Sequence, residues 1–308
     1  MNFLACDLGG TKVLLGIFEK VKNDDSPKLI LKKKYASSEW DSFDLILEDF
    51  LKNECKNITH PSFACFAVAG PLSNNEAQII NLSWNISGNA LKNKFNFKGC
   101  ELINDFAVQI FGIPYLKDNQ YSTIQDGSHS EGSNNDLHAI VGAGTGLGIA
   151  RGIISGQKVK VLASEGGHVE YSPKSKLEWE LKIWLKNYLK VERISCERII
   201  SGTGLSRIAE WRLSKPDARN HPLQQYLKEI KIFDAMRKEL PEKICNFSKE
   251  RDQLMIEVER IWLGAYASFL GDVALQELCF GGLWISRGTA SKHFKNFKSD
   301  LFMNNFTT

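Results

Sequence analysis

Residues 5–18 read ACDLGGTKVLLGIF, two apolar runs joined by the glycine pair Gly9-Gly10. A glycine pair between two such runs is a hairpin signal, because glycine reaches positive φ at little cost and short strand connections need that conformation. The same pair could also let backbone N–H groups approach a phosphate. These residues alone leave both readings open. A second copy stands in the other half of the chain: LHAIVGAGTGLGIARGI, residues 137–153, again runs from apolar strand through a Gly-Thr turn to apolar strand. Gly144-Thr145 repeats Gly10-Thr11, and this internal echo is the first sign that the glycines do more than turn.

Working outward, period-two runs dominate the first part: FLACDL, KVLLGIF, KLILKKKY, SFACFAVAG and AQIINLS, with a helical segment in FDLILEDFLKN between them. That is an α/β pattern. Ser87 is placed to cap a helix through GNALKNKF, and CELIND then reads as a buried strand delivering Asn104 and Asp105. A helix through FAVQIFGI is expected to follow at once and to stop at Pro114. Residues 117–136 are polar and glycine-rich, a loop or surface hairpin near a boundary. Beyond residue 174 helices take over. In KLEWELKIWLKNYLK the spacing puts Leu177, Leu181, Trp184, Leu185 and Tyr188 on one core-facing side, with Lys182, Lys186 and Lys190 on another. Further helices are expected over roughly 222–247 and 250–278, then the apolar strand CFGGLWIS and a short helix near SKHFKNF.

The chain has 308 residues, enough for about two domains of ordinary size. Its 43% hydrophobic and 24% charged content disfavour disordered, fibrous and membrane classes. No apolar run approaches the ~18 residues of a membrane span, and the start MNFLACDLGG lacks a secretory pattern, so a cytoplasmic protein is expected. A formal charge of +3 gives little attraction for nucleic acid, and Lys32-Lys33-Lys34 reads as a solvated strand edge. The seven cysteines are scattered without the close pairs of zinc or redox motifs and read as reduced core residues.

Several polar residues fall where chemistry would be placed. Two Gly-Thr turns would present backbone donors and hydroxyls to a triphosphate, although neither is a Walker sequence. Asp7 just before the first turn suits a magnesium ion held through water, or else caps the turn. Asp105 at a strand end must be hydrogen-bonded, paired or used, and helix N-capping would satisfy it without function. Asn104 offers the donor and acceptor that a sugar hydroxyl needs. SEGGHVEY brings Glu165 and His168 into one glycine turn. Glu197 is either functional, the third residue of a capping box begun by Ser195, or part of a solvated face.

Together these residues resemble the bacterial glucokinase family of the actin, sugar kinase and heat-shock ATPase superfamily. The likeness runs through CDLGGTK, AVAGPL, INDF, GAGTGLG, EGGHVEY, ERIISGTG and FGGLWI in family order and spacing, over nearly the whole chain. It implies an α/β, two-lobed actin-like (ribonuclease H-like) sugar kinase fold with a central cleft, the small lobe over 1–113 and the large lobe over 114–308. It implies a glycolytic glucokinase that uses ATP and magnesium to phosphorylate D-glucose at the 6-hydroxyl. Carried over by position, Asp7, Leu8, Gly9, Gly10 and Thr11 belong to the first ATP-binding turn, with Asp7 near magnesium. Gly144, Thr145 and Gly146 belong to the second. Asn104, Asp105, Glu165, His168 and Glu197 fall on glucose-contacting positions, with Asp105 on the catalytic base.

Two departures stand out against the family pattern. After FGGLWI the family runs into a glycine pair near the adenosine, whereas here Ser286-Arg287-Gly288 follows. The family also continues with a closing strand and helix that this sequence does not contain, which leaves activity open. Alternatives are a glucose or nucleotide sensor with little turnover, or another hexose kinase of the superfamily, such as the repressor, open reading frame and kinase group. That group's Cys-rich zinc motif and N-terminal DNA-binding extension are not in this sequence. Partners are expected to be glucose and ATP, with no nucleic acid or membrane; pairing as a homodimer is left open.

Overall fold

The computed structural model describes residues 1–21, 27–70, 72–79, 82–127, 137–156, 158–162, 164–230 and 239–307. They form two compact units, Met1–Lys117 and Asp118–Thr308.

In the first unit, β1 (Asn2–Leu8), β2 (Lys12–Glu19) and β3 (Lys28–Ala36) form an antiparallel meander. Helix α1 (Phe43–Asp49) continues as a π-helical turn through Glu54. Then come β4 (Phe63–Val68), β5 (Leu72–Ser73), β6 (Glu76–Ile79), β7 (Trp84–Ser87), α2 (Gly88–Lys94), β8 (Gly99–Asn104) and α3 (Val108–Gly112). The main sheet has the order β3-β2-β1-β4-β8, and β5-β6-β7 form a small second sheet. Alternation explains the layering: Leu4, Cys6 and Leu8 of β1 and Val13, Leu15 and Ile17 of β2 are buried with Phe43, Ile46 and Leu47 of α1 in one core.

The lysine run lies on the edge strand β3, where Lys33 meets Glu54 at 2.7 Å and Asp49 at 3.6 Å. Ser87 caps α2 as expected, its Oγ accepting from the Ala90 N–H at 3.4 Å. The helix expected over FAVQIFGI is shorter. Residues 105–107 are turn, α3 ends at Gly112, and Pro114 sits in a 3-10 turn over Ile113–Tyr115. In the polar stretch 117–136, Asp118–Gln120 form a 3-10 turn, and 128–136 lie outside the described residues.

The second unit repeats the plan of the first. Strands β9 (Leu137–Ala143), β10 (Leu147–Ser155) and β11 (Lys158–Leu162) form an antiparallel meander. Helices α4 (Lys176–Leu189), α5 (Gly202–Leu213), α6 (Leu223–Ile230), α7 (Leu240–Lys249) and α8 (Gln253–Glu277) follow. The chain then forms β12 (Gly282–Ser286), α9 (Gly288–Lys292) and α10 (Asp300–Thr307). The sheet order is β11-β10-β9-β12, with β12 parallel to β9 as β4 is parallel to β1. The echo in the sequence is thus an echo in topology. Of the helix expected over 222–247, residues 231–238 lie outside the described residues, and α6 and α7 stand on either side of them.

Helix α8 is the centre of this core. Trp262 and Tyr266 are fully buried, and their polar tips find backbone partners: Trp262 Nε1 donates to the Ser201 carbonyl at 3.1 Å and the Tyr266 hydroxyl to that of Val141 at 3.4 Å. Helix α4 departs from the expected core face. Leu181 and Leu185 are completely buried, whereas Leu177 and Tyr188 are exposed, and Tyr188 stacks on Trp184 with centroids 4.6 Å apart. Spacing gave the stripe correctly, but the unit covers only its middle. No helix among the described residues is long and apolar enough to cross a membrane.

Packing of α10 on α8 depends on Gly271, where an added Cβ would lie 2.4 Å from the Phe306 carbonyl oxygen. Helix propensity alone would make Gly271→Ala stabilising by about 1 kcal/mol. The clash is expected to reverse that sign and cost about 1–3 kcal/mol, read by urea unfolding; a gain in stability would contradict this packing.

Candidate functional site

In the first unit the parallel strands β1, β4 and β8 end in register, Leu8 beside Val68 and Val68 beside Asn104. With strands ~4.8 Å apart, their carboxyl ends span about 10 Å, and the first glycine turn, Gly70 and Asn104-Asp105 all emerge along that edge. The Gly9 N–H closes the turn by donating to the Lys12 carbonyl at 2.9 Å. Ser37 buttresses it, its Oγ donating to the Gly9 carbonyl at 3.1 Å and its N–H to that of Thr11 at 3.2 Å. Among the described residues the N–H groups of Gly10 and Thr11 make no intramolecular hydrogen bond and are the donors left for a ligand. Leu8 contributes by position, for its side chain is wholly in the core and its carbonyl accepts from the Ala69 N–H.

Asp7 is the penultimate residue of β1 and is exposed, and its carboxylate makes no hydrogen bond or ion pair among the described residues. The turn-capping reading is therefore removed. A partnerless hard oxygen donor beside a phosphate-type turn fits a magnesium ion that keeps most of its water. Burial first, and the Asp7 carboxylate second, hold the neighbouring Cys6 thiol well above its ordinary range.

Helix α3 has no side-chain cap at its N-cap residue Ala107, and Asn104 instead closes the turn that precedes it. Asn104 Oδ1 accepts from the N–H groups of Phe106 and Ala107, both at 3.0 Å, while Nδ2 donates to the Gly70 carbonyl at 3.1 Å. Gly70 itself is left-handed, with φ 119°. Asn104 thereby fixes the turn that carries half-buried Asp105, whose own N–H donates to the Val68 carbonyl at 3.0 Å. One amide hydrogen of Asn104 is left for a ligand.

In the second unit Gly144, Thr145 and Gly146 join β9 to β10, closed by the Gly144 N–H on the Gly146 carbonyl at 2.8 Å. Carbonyls of the turn are taken from behind. The Gly202 N–H donates to the Gly144 carbonyl at 2.8 Å, and Thr203 Oγ1 donates to that of Thr145 at 3.2 Å. The N–H groups of Thr145 and Gly146 make no hydrogen bond among the described residues, matching Gly10 and Thr11 of the first turn. Glu197 belongs here. Its Oε2 accepts from the Leu147 N–H at 3.1 Å, and a Cβ at Gly146 would fall 2.4 Å from that oxygen. Neither the capping box nor the solvated face applies, since the Ser195 side chain makes no cap bond. The second oxygen of Glu197 has no hydrogen-bond partner among the described residues.

Glu165 and His168 flank a 3-10 turn, Gly166–His168. Gly167 presses on β10 so closely that a Cβ would lie 2.1 Å from the Leu147 carbonyl oxygen. Leu147 is therefore gripped on both sides, by Glu197 at its N–H and by this turn at its carbonyl. Arg193 donates to the His168 carbonyl at 2.8 Å. Both the Glu165 and His168 side chains stay largely exposed, their nearest charged atoms 3.8 Å apart.

Arg287 stands between β12 and α9 at φ 74° and ψ 176°, a backbone region used almost only by glycine. Its Cδ comes 3.9 Å from where a Cβ on Gly144 would be, and Thr289 Oγ1, two residues on, donates to the Ala143 carbonyl. The substitution seen in the sequence thus costs backbone strain beside the second turn.

The glucokinase family model matches residues 4–308. A glucokinase of Synechocystis sp. is 33% identical over 321 aligned positions, covering 100% of this chain and 89% of that protein. Among solved structures, a glucokinase from an Antarctic psychrotroph superposes with a TM-score of 0.77 at 24% identity, over 99% of this chain and 88% of that one. A ROK family glucokinase from Streptomyces griseus, solved in complex with glucose and AMPPNP, does so with 0.56 at 16% identity, over 99% and 87%.

The strain at Arg287 is directly measurable. Ala and Gly both delete the side chain, but only Gly deletes the Cβ, so Arg287→Gly is expected to be about 1 kcal/mol more stable than Arg287→Ala. Thermal unfolding of the two variants checks it, and the reverse order would exclude the left-handed backbone.

Proposed function

The chain belongs to the glucokinase family, and on that premise we propose that it transfers the γ-phosphoryl group of ATP to the 6-hydroxyl of D-glucose, giving glucose 6-phosphate and ADP. The observation that carries this reading is the doubled hairpin. Two sheets of one plan each place a glycine turn, with two unspent N–H donors, beside the carboxyl end of a parallel strand. Backbone donors of this kind suit phosphate oxygens, whose charge they meet without a side chain in the way.

Phosphoryl transfer depends on alignment and charge stabilisation more than on protein covalent chemistry. In the proposed step Asp105 takes the proton of the 6-hydroxyl as its oxygen bonds to the γ-phosphorus, and the bond from that phosphorus to the bridging β-phosphate oxygen breaks. In the first unit Gly10 and Thr11, and in the second Thr145 and Gly146, offer their N–H groups to phosphate oxygens. Magnesium, held by Asp7 through water, would neutralise phosphate charge. Asn104 positions Asp105 and offers its remaining amide hydrogen to the sugar. In the second unit, Glu165, His168 and the second oxygen of Glu197 read sugar hydroxyls. Such a site discriminates by leaving its polar groups unpaired when the wrong sugar enters.

A coupled assay of ADP release tests this reading: release must require glucose, and heat of glucose binding without ADP would favour a sensor. Asp105→Ala is expected to lose ~10²- to 10⁴-fold in kcat while still binding glucose; unchanged turnover would remove Asp105 from the role of base. Glu165→Ala is expected to raise KM for glucose about tenfold, the loss of one hydrogen bond, with little change for ATP. An effect on ATP alone would overturn that assignment.

A further inference from the structure

Outside these residues, three ligand-type side chains converge from three elements of the second unit. Cys245 comes from α7, Glu259 from α8, and His293 caps the end of α9. One donor atom of each lies within 4.8 Å of the others, and Cys245 Sγ is 3.8 Å from His293 Nε2. The chain spacings, 14 and 34 residues, match no zinc motif, so nothing in the sequence joins them.

The surroundings complete the arrangement. Glu259 Oε2 accepts from Ser248 Oγ at 2.6 Å, which orients the carboxylate. His293 is buried against Trp262, with ring centroids 5.0 Å apart, and its N–H donates to the Thr289 carbonyl at 3.0 Å. Its Nδ1 lies 3.4 Å from the Asn296 amide. Turning that amide by 180° brings Oδ1 to accept Nδ1–H, which leaves the Nε2 lone pair facing the sulfur.

We propose that Cys245, Glu259 and His293 bind one thiophilic divalent cation of the zinc class, with water as the fourth ligand. Zinc–sulfur and zinc–nitrogen bonds of about 2.3 and 2.0 Å at a tetrahedral angle place the two donors about 3.5 Å apart, close to the separation found here. A thiolate and a carboxylate neutralise the ion, while imidazole adds no charge. Burial favours this imidazole form by lowering the His293 pKa, and without metal it pushes the Cys245 thiol up to about 12. Lys249 and Lys292 pull the thiol the other way, towards thiolate. On binding, the sulfur–metal bond replaces the S–H bond and the proton passes to solvent.

Such an ion would tie α7 and α8 to the segment after α9, whose Thr289 supports the base of the second glycine turn. Its role is structural and independent of the kinase reading.

The test uses the full chain, stripped with chelator and titrated with Co2+. Expected are one equivalent bound, a near-ultraviolet thiolate-to-cobalt band, displacement by Zn2+, and a Tm raised by Zn2+. Cys245→Ser should lose the band, bind at least tenfold more weakly, and show no Zn2+-dependent rise in Tm. Because His293 is buried and its variants can fail to fold, Glu259→Gln is the second arm, also expected to bind at least tenfold more weakly. No saturable band in the wild type, or a band of equal size and affinity in Cys245→Ser, would overturn the proposal.

Discussion

The hydrogen bond from the Leu147 N–H to the Glu197 carboxylate is the contact on which the arrangement around the second glycine turn depends. It joins residues 50 positions apart and brings a carboxylate to the point where Gly146 lacks a side chain. The bond does two things at once: one oxygen anchors the strand that leaves the turn, and the other is held out with no hydrogen-bond partner among the described residues. A charge-assisted bond of this kind is about twice as strong as a neutral one, enough to keep an acidic group beside the glycine turn. On the other side of Leu147, Gly167 brings the Glu165–His168 turn against the same peptide. The glycine turn, the Glu197 carboxylate and the Glu165–His168 turn are thereby held on one backbone segment.

The first unit solves the same problem with different residues. There, Ser37 supports the glycine turn and Asn104 organises the strand end, so that Asp105 is presented by a capped turn instead of by a long helix. The two sheets share the order of meander and parallel strand, which puts each turn next to the carboxyl end of its parallel partner. Ligand groups gather at such ends because strand polarity leaves loops and backbone donors there. What differs is the residue that takes positive φ beyond the parallel strand: glycine, two residues after β4, in the first unit, and arginine, directly after β12 and under strain, in the second.

Local features were legible in the sequence. The two hairpins, the Ser87 cap and the lysine edge each follow from a few neighbouring residues, and the fold class followed from the repeated hairpin together with the motif order. Features set by distant contacts were not. Nothing near Glu197 indicates that its partner is Leu147, and the INDF stretch does not say that the Asn104 side chain closes the turn over residues 105–107. The apolar stripe of α4 was visible, but how far its unit covers it depends on packing from elements such as α5. Arg287 was recognisable as a departure, whereas its backbone conformation comes from the fold. The Cys245, Glu259 and His293 group had no signal at all, because its spacing arises only once three separate elements have packed.

A double-mutant cycle between Gly146→Ala and Glu197→Asp, read as unfolding free energy in urea, tests most directly whether this carboxylate and this glycine form one device. Shortening the acid by one methylene withdraws the oxygen that an alanine methyl would strike. The added methyl should therefore cost at least about 1 kcal/mol less in the Glu197→Asp background than in the wild type, the coupling expected of residues in contact. Equal cost in both backgrounds would show that Glu197 does not sit against the turn and would contradict the account.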